Sequence, residues 1–478
     1  MIFETFSDLN DEFKKRDGTA LLFEDRNFPE NRGFLSYRDF ASLITASVDS
    51  VRKDGNKIDF IRASHTPDSL VTIFSDLIAG CTIVLLDHTL PPLREQTIRK
   101  RLSAKLADLD NADGEGRLIF FTSGTTHSSK AVVLSAKALL HASWRGQECL
   151  PIGREDTLLS ILPLSHVFGF VCTMLWGLCY GATVALSRGV RHLMDDPKFF
   201  RPTVLPLVPT LANAMTRFGC YNPELKVILI GAAPLGQNEL DAMKEKTSAH
   251  VYTGYGLTET ASGVAITEDL DHPYSLRVCP GVEIKLAEDS EILLKTDSLL
   301  LRYIKLLPEL EKVKETHEEV HRKIQKDLNL PVSESELHSE HAEPLFDEEG
   351  FFHTGDIGVF DKDGRLHISG RKKDILVLPD GTKVFCPEYE KALSDAMGTD
   401  ELAIAERNGR PVLLVSDKIK KETAESVVEK LNQHLSRSQQ IAGILYIDMP
   451  LPRTVTGKLK RWMIEQAIRK EDYSTWKQ

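Results

Sequence analysis

FFTSGTTHSSKAVVLS, residues 120–135, runs from an apolar lead-in through a hydroxyl-rich loop to a lysine and a second apolar run. Thr122, Ser123, Thr125 and Thr126 offer hydroxyls, and Gly124 lets the backbone bend so that its N–H groups converge. Lys130 adds a mobile cation at the loop's far end. A chain builds a cradle for phosphate oxygens in this way. It is not the loop of P-loop NTPases, which needs two glycines and a Lys-Ser/Thr pair at fixed spacing. Taken alone, the stretch also fits a plain polar turn.

Working outward, short β-branched-rich runs alternate with helical patterns: IDFIRA, CTIVLLD, RLIFFTS, ATVALS, TVLPLV and KVILIGA. That alternation predicts an α/β fold with buried, mostly parallel strands. The 478 residues exceed one typical core, so at least two domains are expected. Between Leu306 and Leu328 the chain becomes a highly charged helical pattern, read as an insert over about 305–343. A second boundary falls near Arg371, after the glycine-punctuated hairpin GVFDKDGRLHISG. It divides the chain into 1–370 and a small α/β-patterned domain, 371–478.

Composition narrows the classes. Hydrophobic content of 42% with 27% charged residues describes an ordinary globular protein. A net charge of −11 argues against nucleic acid as a partner. The seven cysteines are scattered and never arranged as C-x-x-C, which argues against a disulfide framework or zinc ribbon and fits a cytoplasmic protein. The N-terminus has no signal-peptide pattern. Val167–Leu186 is uncharged and long enough to span a bilayer, but three glycines, polar residues and the lack of a basic flank favour a buried helix. It should end near Gly181 and lead into a buried strand.

Four further stretches carry candidate chemistry. YTGYGLTETA (252–261) combines an aromatic face on Tyr255, flexed by Gly256, a hydroxyl on Thr258 and a carboxylate on Glu259 that suits Mg²⁺. GAAPL closes a strand with Gly231, Ala232 and Ala233, small enough for a flat ring to slide past. In HTGDIG, Asp356 could accept from two ribose hydroxyls, and Arg371 further on could address ribose or phosphate. In PRTVTGKLKR, Lys458 sits on a loop stiffened by proline and glycine. Each alone has an ordinary turn or surface reading.

Together and in this order, these stretches resemble the core motifs of the adenylate-forming superfamily, which includes acyl-CoA synthetases, aryl-CoA ligases and luciferases. TSGTTHSSK resembles its phosphate loop, LPLSHVFGF its acyl-pocket motif, and YGLTE its adenine and magnesium motif. HTGDIG resembles the ribose motif, GRKKD the hinge and PRTVTGK the catalytic-lysine loop. The resemblance runs from roughly Leu35 to Trp462.

It implies a large N-terminal domain of stacked mixed β-sheets with helices and a small barrel-like subdomain, followed by a small mobile α+β domain. It also implies an enzyme that uses Mg·ATP to convert a carboxylic acid to acyl-AMP, then passes the acyl group to a thiol. CoA is the usual thiol, and phosphopantetheine on an acyl carrier protein is the alternative. By the same resemblance Lys458, Thr258, Glu259 and His166 are catalytic, with Glu259 on Mg²⁺. Tyr255 stacks on adenine, Asp356 and Arg371 grip the ribose, Lys373 is the hinge, and Gly381 lines the pantetheine tunnel.

Departures matter. Where the family loop continues G-x-P-K-G, this chain has His127, Ser128, Ser129, Lys130 and Ala131. The altered loop leaves open a nucleotide-binding scaffold that has lost catalysis. Val167–Val171 has no aspartate for a substrate amine, and Phe168, Phe170 and Val171 suit an alkyl or aryl tail. The length between Arg371 and Gly381, with the charged insert, resembles long-chain fatty acyl-CoA synthetases and tilts the expectation to fatty acids. HEEVH (317–321) spells a zinc-protease motif but sits within the insert, and a solvated helix is the expected reading.

Overall fold

The computed structural model describes residues 1–25, 27–54, 57–106, 116–122, 130–267, 270–272, 274–305, 345–378, 382–416, 418–453 and 459–470. The expected helical insert with its HEEVH motif lies outside them. All six apolar runs are strands: Ile58–Ala63, Thr82–Asp87, Arg117–Phe121, Thr183–Leu186, Val204–Leu207 and Val227–Ile230.

The first three stand parallel in a five-stranded sheet. Lys130–Ser135 then returns antiparallel on Arg117–Phe121, so the two apolar halves of residues 120–135 form a hairpin around the hydroxyl-rich loop. Thr122 N donates to Lys130 O at 3.0 Å and closes its mouth. The fifth strand, Arg302–Lys305, comes from far along the chain and pairs antiparallel with Lys130–Ser135.

A thirteen-stranded sheet holds the remaining large core. Its parallel part runs through Thr183–Leu186, Thr157–Ser160, Val204–Leu207, Val227–Ile230 and His250–Leu257. The last of these changes partner along its length. Val227 to Ile230 pair parallel with His250 to Thr253, and from Gly254 on the strand pairs antiparallel with Ser262–Thr267. The sheet continues antiparallel to the hairpin of Phe352–Phe360 and Leu366–Arg371. Ligands in α/β sheets bind beyond the carboxyl ends of strands where the arrangement switches. Here Tyr255 to Glu259 occupy that switch, and the GAAPL and LPLSH stretches leave the carboxyl ends of neighbouring parallel strands.

The core between the sheets gathers Phe6, Phe13, Phe40 and Phe74, each at most 2% exposed, with ring centroids 5.1–6.2 Å apart. Full burial of one such side chain stabilises by roughly 1.5–3 kcal/mol. Within Val167–Leu186, a π-helical stretch, Gly169–Leu175, passes into a short helix, Trp176–Tyr180. That helix is capped by left-handed Gly181 and followed by the strand Thr183–Leu186. The helix end was legible; the π-helical widening was not. Gly169 is where the backbone presses closest, since an added Cβ would meet Pro163 O at 2.3 Å. Phe170 and Val171 are 0% and 1% exposed in the core, with Phe170 edge-on to Phe120 at 5.8 Å. They do not line an open pocket, which corrects the expectation and leaves Phe168. Among the described residues no helix is long and apolar enough to cross a membrane.

Residues 376–468 contain two further cores, one on each face of the sheet formed by Leu402–Arg407, Arg410–Ser416 and Ile444–Ile447. The period-two alternation of a strand divides them. Leu402, Ile404, Leu413 and Val415 face the helices Cys386–Met397 and Lys421–Asn432. Ala403, Ala405, Val412 and Leu414 face Ile464 and Ile468 of the helix Arg461–Lys470.

Candidate active site

Two side-chain groups assemble at the switch. In the first, Tyr255 donates its hydroxyl to Asp356 Oδ2 at 2.8 Å, and Arg371 Nε lies 2.9 Å from Asp356 Oδ1. Asp356 is 3% exposed, and its own N–H donates to Thr354 Oγ1 at 3.0 Å. A nearly buried carboxylate needs such partners to stay ionised. Burial, with the Asp356 charge beside it, pushes the Tyr255 phenol well above its ordinary pKa, so it remains a donor. Asp356 and Arg371 face each other because their strands pair in register. Gly355 takes a positive φ of 68° and donates its N–H to Glu291 Oε1 at 2.9 Å.

In the second group, Tyr303 donates its hydroxyl to Glu259 Oε1 at 2.6 Å, and Lys130 Nζ lies 4.7 Å from the centre of the Tyr303 ring. Glu259 and Thr258 sit in the turn Thr258–Thr260 that follows the switching strand. Gly256 is required just before it, because an added Cβ would meet Ser262 O at 2.2 Å. The Arg371 charge acts on Tyr255, Tyr303 and Glu259, so the two groups share one electrostatic neighbourhood.

A third set lies at the LPLSH and GAAPL ends. The Phe168 ring packs so closely on Gly231 that an added Cβ would be 2.7 Å from Phe168 Cζ. Ala232 has a φ of 67° and is exposed, and Ala233 is half-buried beside it. Ser165 Oγ donates to Asp87 Oδ2 at 3.4 Å. Burial lowers the pKa of His166 while the Asp87 charge partly opposes it, so the imidazole is held neutral near pH 7.

The turn expected as the hinge is tied to the thirteen-stranded sheet, and the ends of the expected lysine loop are tied to each other. Lys373 lies in the turn Lys372–Asp374, and Lys372 Nζ contacts Asp289 and Glu291, both at 3.1 Å. Arg453 and Leu459 form a bridge, and Lys460 N donates to Pro452 O at 2.8 Å, which pins both ends of the loop that carries Lys458. Arg453 and Leu459 also line a groove of about 800 Å³ whose opposite wall includes Glu239 and Tyr274.

The structure thus brings together Lys130, Tyr255, Glu259, Asp356 and Arg371, and places Thr122, Thr258, Gly231, Ala232, Ala233, Gly256, His166 and Lys373 on adjoining elements. Ser123, Gly124, Thr125, Thr126, Gly381 and Lys458 lie outside the described residues. Sequence reasoning missed Tyr303, Glu291 and Asp87. Only sheet register carries Tyr303 to Glu259, and Glu291, 2% exposed, reads in sequence as a turn acid.

Residues 112–298 match the model of the AMP-binding enzyme family. Relatives include 3-[(3aS,4S,7aS)-7a-methyl-1,5-dioxo-octahydro-1H-inden-4-yl]propanoyl:CoA ligase of Rhodococcus jostii (strain RHA1), 26% identical over 78% of this chain and 69% of its own. Another is 2-succinylbenzoate–CoA ligase of Listeria monocytogenes serotype 4b (strain F2365), 24% identical over 82% of this chain and 76% of its own. Among solved structures, o-succinylbenzoate CoA synthetase of Bacillus subtilis with its acyl-adenylate intermediate superposes with a TM-score of 0.74 at 18% identity. The match covers 95% of this chain and 97% of that one. The AMP-binding match over residues 112–298 thus contains the switch point with Tyr255 and Glu259, and the chain is similar in sequence to acid–CoA ligases and in fold to an acyl-CoA synthetase.

Proposed function

We propose that the protein uses Mg·ATP to activate a carboxylic acid, fatty or aryl, to its acyl-adenylate and transfers the acyl group to the thiol of CoA. The observation that carries this reading is the pairing of Tyr255, Asp356 and Arg371 beside Glu259, Tyr303 and Lys130. It juxtaposes a ribose-type carboxylate with a phosphate-type cation and a carboxylate oxygen, Glu259 Oε2, that takes no hydrogen bond from the described residues. Relatives and fold neighbours named as acid–CoA ligases support it.

In the first step a carboxylate oxygen attacks the α-phosphorus of ATP, the bond to the β-phosphate bridging oxygen breaks, and pyrophosphate leaves. In the second, the thiol sulfur attacks the acyl carbon and AMP leaves. Tyr255 and the GAA backbone flank the base, and Asp356 accepts from the ribose hydroxyls while Arg371 fixes its orientation. Lys130 and the hydroxyls of Thr122 to Thr126 hold phosphate oxygens, Thr258 adds a donor, and Lys458 stabilises the charge that develops at phosphorus. His166 and Phe168 stand at the acid's entrance.

Mg²⁺ is bound by one or two carboxylates together with substrate phosphates. Glu259 fits that demand, since its Oε2 takes no hydrogen bond from the described residues; a bound ion would neutralise charge on the phosphates. The segment 371–478 acts as a lid hinged at Lys373, with Gly381 meeting pantetheine after rotation. The scattered free cysteines support a cytoplasmic setting.

The test is a panel of carboxylic acids in a pyrophosphate-release assay, with and without CoA, and with a carrier protein's phosphopantetheine as the competing thiol. Acid-dependent release is the expected result, and its absence with every acid would leave only a nucleotide-binding scaffold. Lys458→Ala should lower adenylation at least ~10²-fold, the order seen when one preorganised charge-stabilising group is removed.

A further inference from the structure

Tyr303 stands 44 residues beyond Glu259, outside every motif discussed above, yet it touches two of them. Its strand is the edge of the five-stranded sheet, where Tyr303 pairs with Val132 and Lys305 with Lys130. The preceding backbone is laced to both motifs as well: Leu300 N donates to Glu259 O at 2.7 Å, and Leu301 N to Val133 O at 2.8 Å. This register places the phenol hydroxyl on Glu259 Oε1 and lays the ring under the Lys130 ammonium. A phenol is protonated at neutral pH, so Tyr303 donates and Glu259 accepts. Of the two carboxylate oxygens, Oε1 is therefore engaged by Tyr303, and Oε2 takes no hydrogen bond from the described residues.

We propose that Tyr303 is a positioning residue of the site, which fixes the Glu259 carboxylate by one oxygen, leaves the other for a divalent cation, and seats Lys130 on its ring. The proposal rests on the reading of Glu259 as the metal carboxylate and Lys130 as a phosphate contact. Its physical content is preorganisation. A carboxylate held in one orientation loses less freedom when it takes up a cation, and an ammonium resting on an aromatic face is held without a competing anion. The bland alternative is a half-buried tyrosine that satisfies its hydroxyl on the nearest carboxylate; removing that hydroxyl would alter stability but not metal uptake.

Binding rather than turnover separates the two. Full-length protein with saturating α,β-methylene-ATP is titrated with Mn²⁺, and the free ion is followed by electron paramagnetic resonance. Binding of the analogue without metal is measured by calorimetry. Tyr303→Phe should raise the Mn²⁺ concentration at half-saturation ~10-fold, the scale of one hydrogen bond to a charged group. Its metal-free affinity for the analogue should be unchanged, because the ring under Lys130 remains. Tyr303→Leu, which removes the ring, should also weaken metal-free binding by ~2-fold or more. Glu259→Gln is the reference. If Glu259→Gln shifts the Mn²⁺ titration and Tyr303→Phe does not, the positioning role is wrong. If neither shifts it, the assignment of Glu259 to the cation is wrong and the role of Tyr303 falls with it. Melting curves on each variant identify a fold defect, against which Tyr303→Phe, the milder change, is the safeguard.

Discussion

Arg461 holds Glu390 with both terminal nitrogens, Nη1 at 2.9 Å and Nη2 at 2.7 Å, and its Nε reaches Asp374 Oδ1 at 2.6 Å. One guanidinium thus joins three parts of the C-terminal segment: the helix that follows the lysine loop, the helix Cys386–Met397, and the turn Lys372–Asp374 at the hinge. Burial disfavours the Arg461 charge, but the Glu390 carboxylate outweighs it and holds the guanidinium's pKa above its ordinary value. Arg461→Met leaves both carboxylates without their cation, and a broken buried pair costs ~3–5 kcal/mol. Urea denaturation should show that loss, with the milder Asp374→Asn falling between Arg461→Met and wild type. Equal stability of Arg461→Met and wild type would dismiss the clasp as ornamental.

Asp356 is satisfied on both oxygens, by Tyr255 and by Arg371. Asp356→Asn turns an amide N–H toward one of these two donors and forfeits the charge that both were aimed at. Hydrogen bonds to charged groups contribute ~1.5–3 kcal/mol, so the KM for ATP should rise ~10-fold or more while the KM for the acid holds. Tyr255→Phe, which removes a single hydroxyl, should produce a smaller change in the same direction. A rise confined to the acid's KM would contradict the assignment of this group to the nucleotide.

The ring of Phe168 occupies the space that any side chain at Gly231 would need. Gly231→Ala must push the ring aside, and overpacking of this kind costs ~1–3 kcal/mol. Because Phe168 is half-buried rather than locked in the core, it should yield by turning into the acid's site. The expected result is a weaker or shorter-chain acid preference with an unaltered KM for ATP, relieved by Phe168→Leu in the double variant. Steady-state kinetics over an acid series reads both.

Two buried groups tilt stability with pH in opposite directions. Burial brings His65 down to a pKa of about 4, against the hydrogen bond to Leu162 O, which favours the charged ring. Protons therefore favour the unfolded chain, and this contribution fades as pH falls from about 6.5 to about 4. Burial and the neighbouring Asp59 carboxylate raise Asp76 to about 7, so the folded chain keeps a proton that the unfolded chain releases. That contribution fades as pH rises from about 4 to about 7. Asp76→Asn mimics the protonated acid without its titration. Its stability relative to wild type should therefore grow from near zero at pH 4 by up to ~4 kcal/mol at pH 7. Unfolding free energies across that range check the sign, and a constant difference would refute it.

The strands were legible in sequence because buried β-branched runs bounded by turns have few alternative structures, and all six expected strands formed. The ribose-type pair was legible as two residues, Asp356 and Arg371, although only the hairpin register reveals that they meet. Tyr303 was not legible, because a tyrosine in a short apolar strand looks like any core residue until the sheet order is known. The same holds for Phe170 and Val171. An apolar run near a pocket motif does not say which of its side chains face inward; in the fold Phe170 and Val171 are buried and Phe168 is half-buried.

The contact of Thr122 N with Lys130 O closes the mouth of the loop proposed to hold phosphate, and makes that mouth a natural graft point. The hairpin pairing of Phe121 with Ala131 and the Thr122–Lys130 contact already bring the two ends together, so the strand register does not depend on the length of the seven residues 123–129. Loops transplanted from related enzymes should graft at this mouth as self-contained parts, and each graft would report on phosphate grip alone.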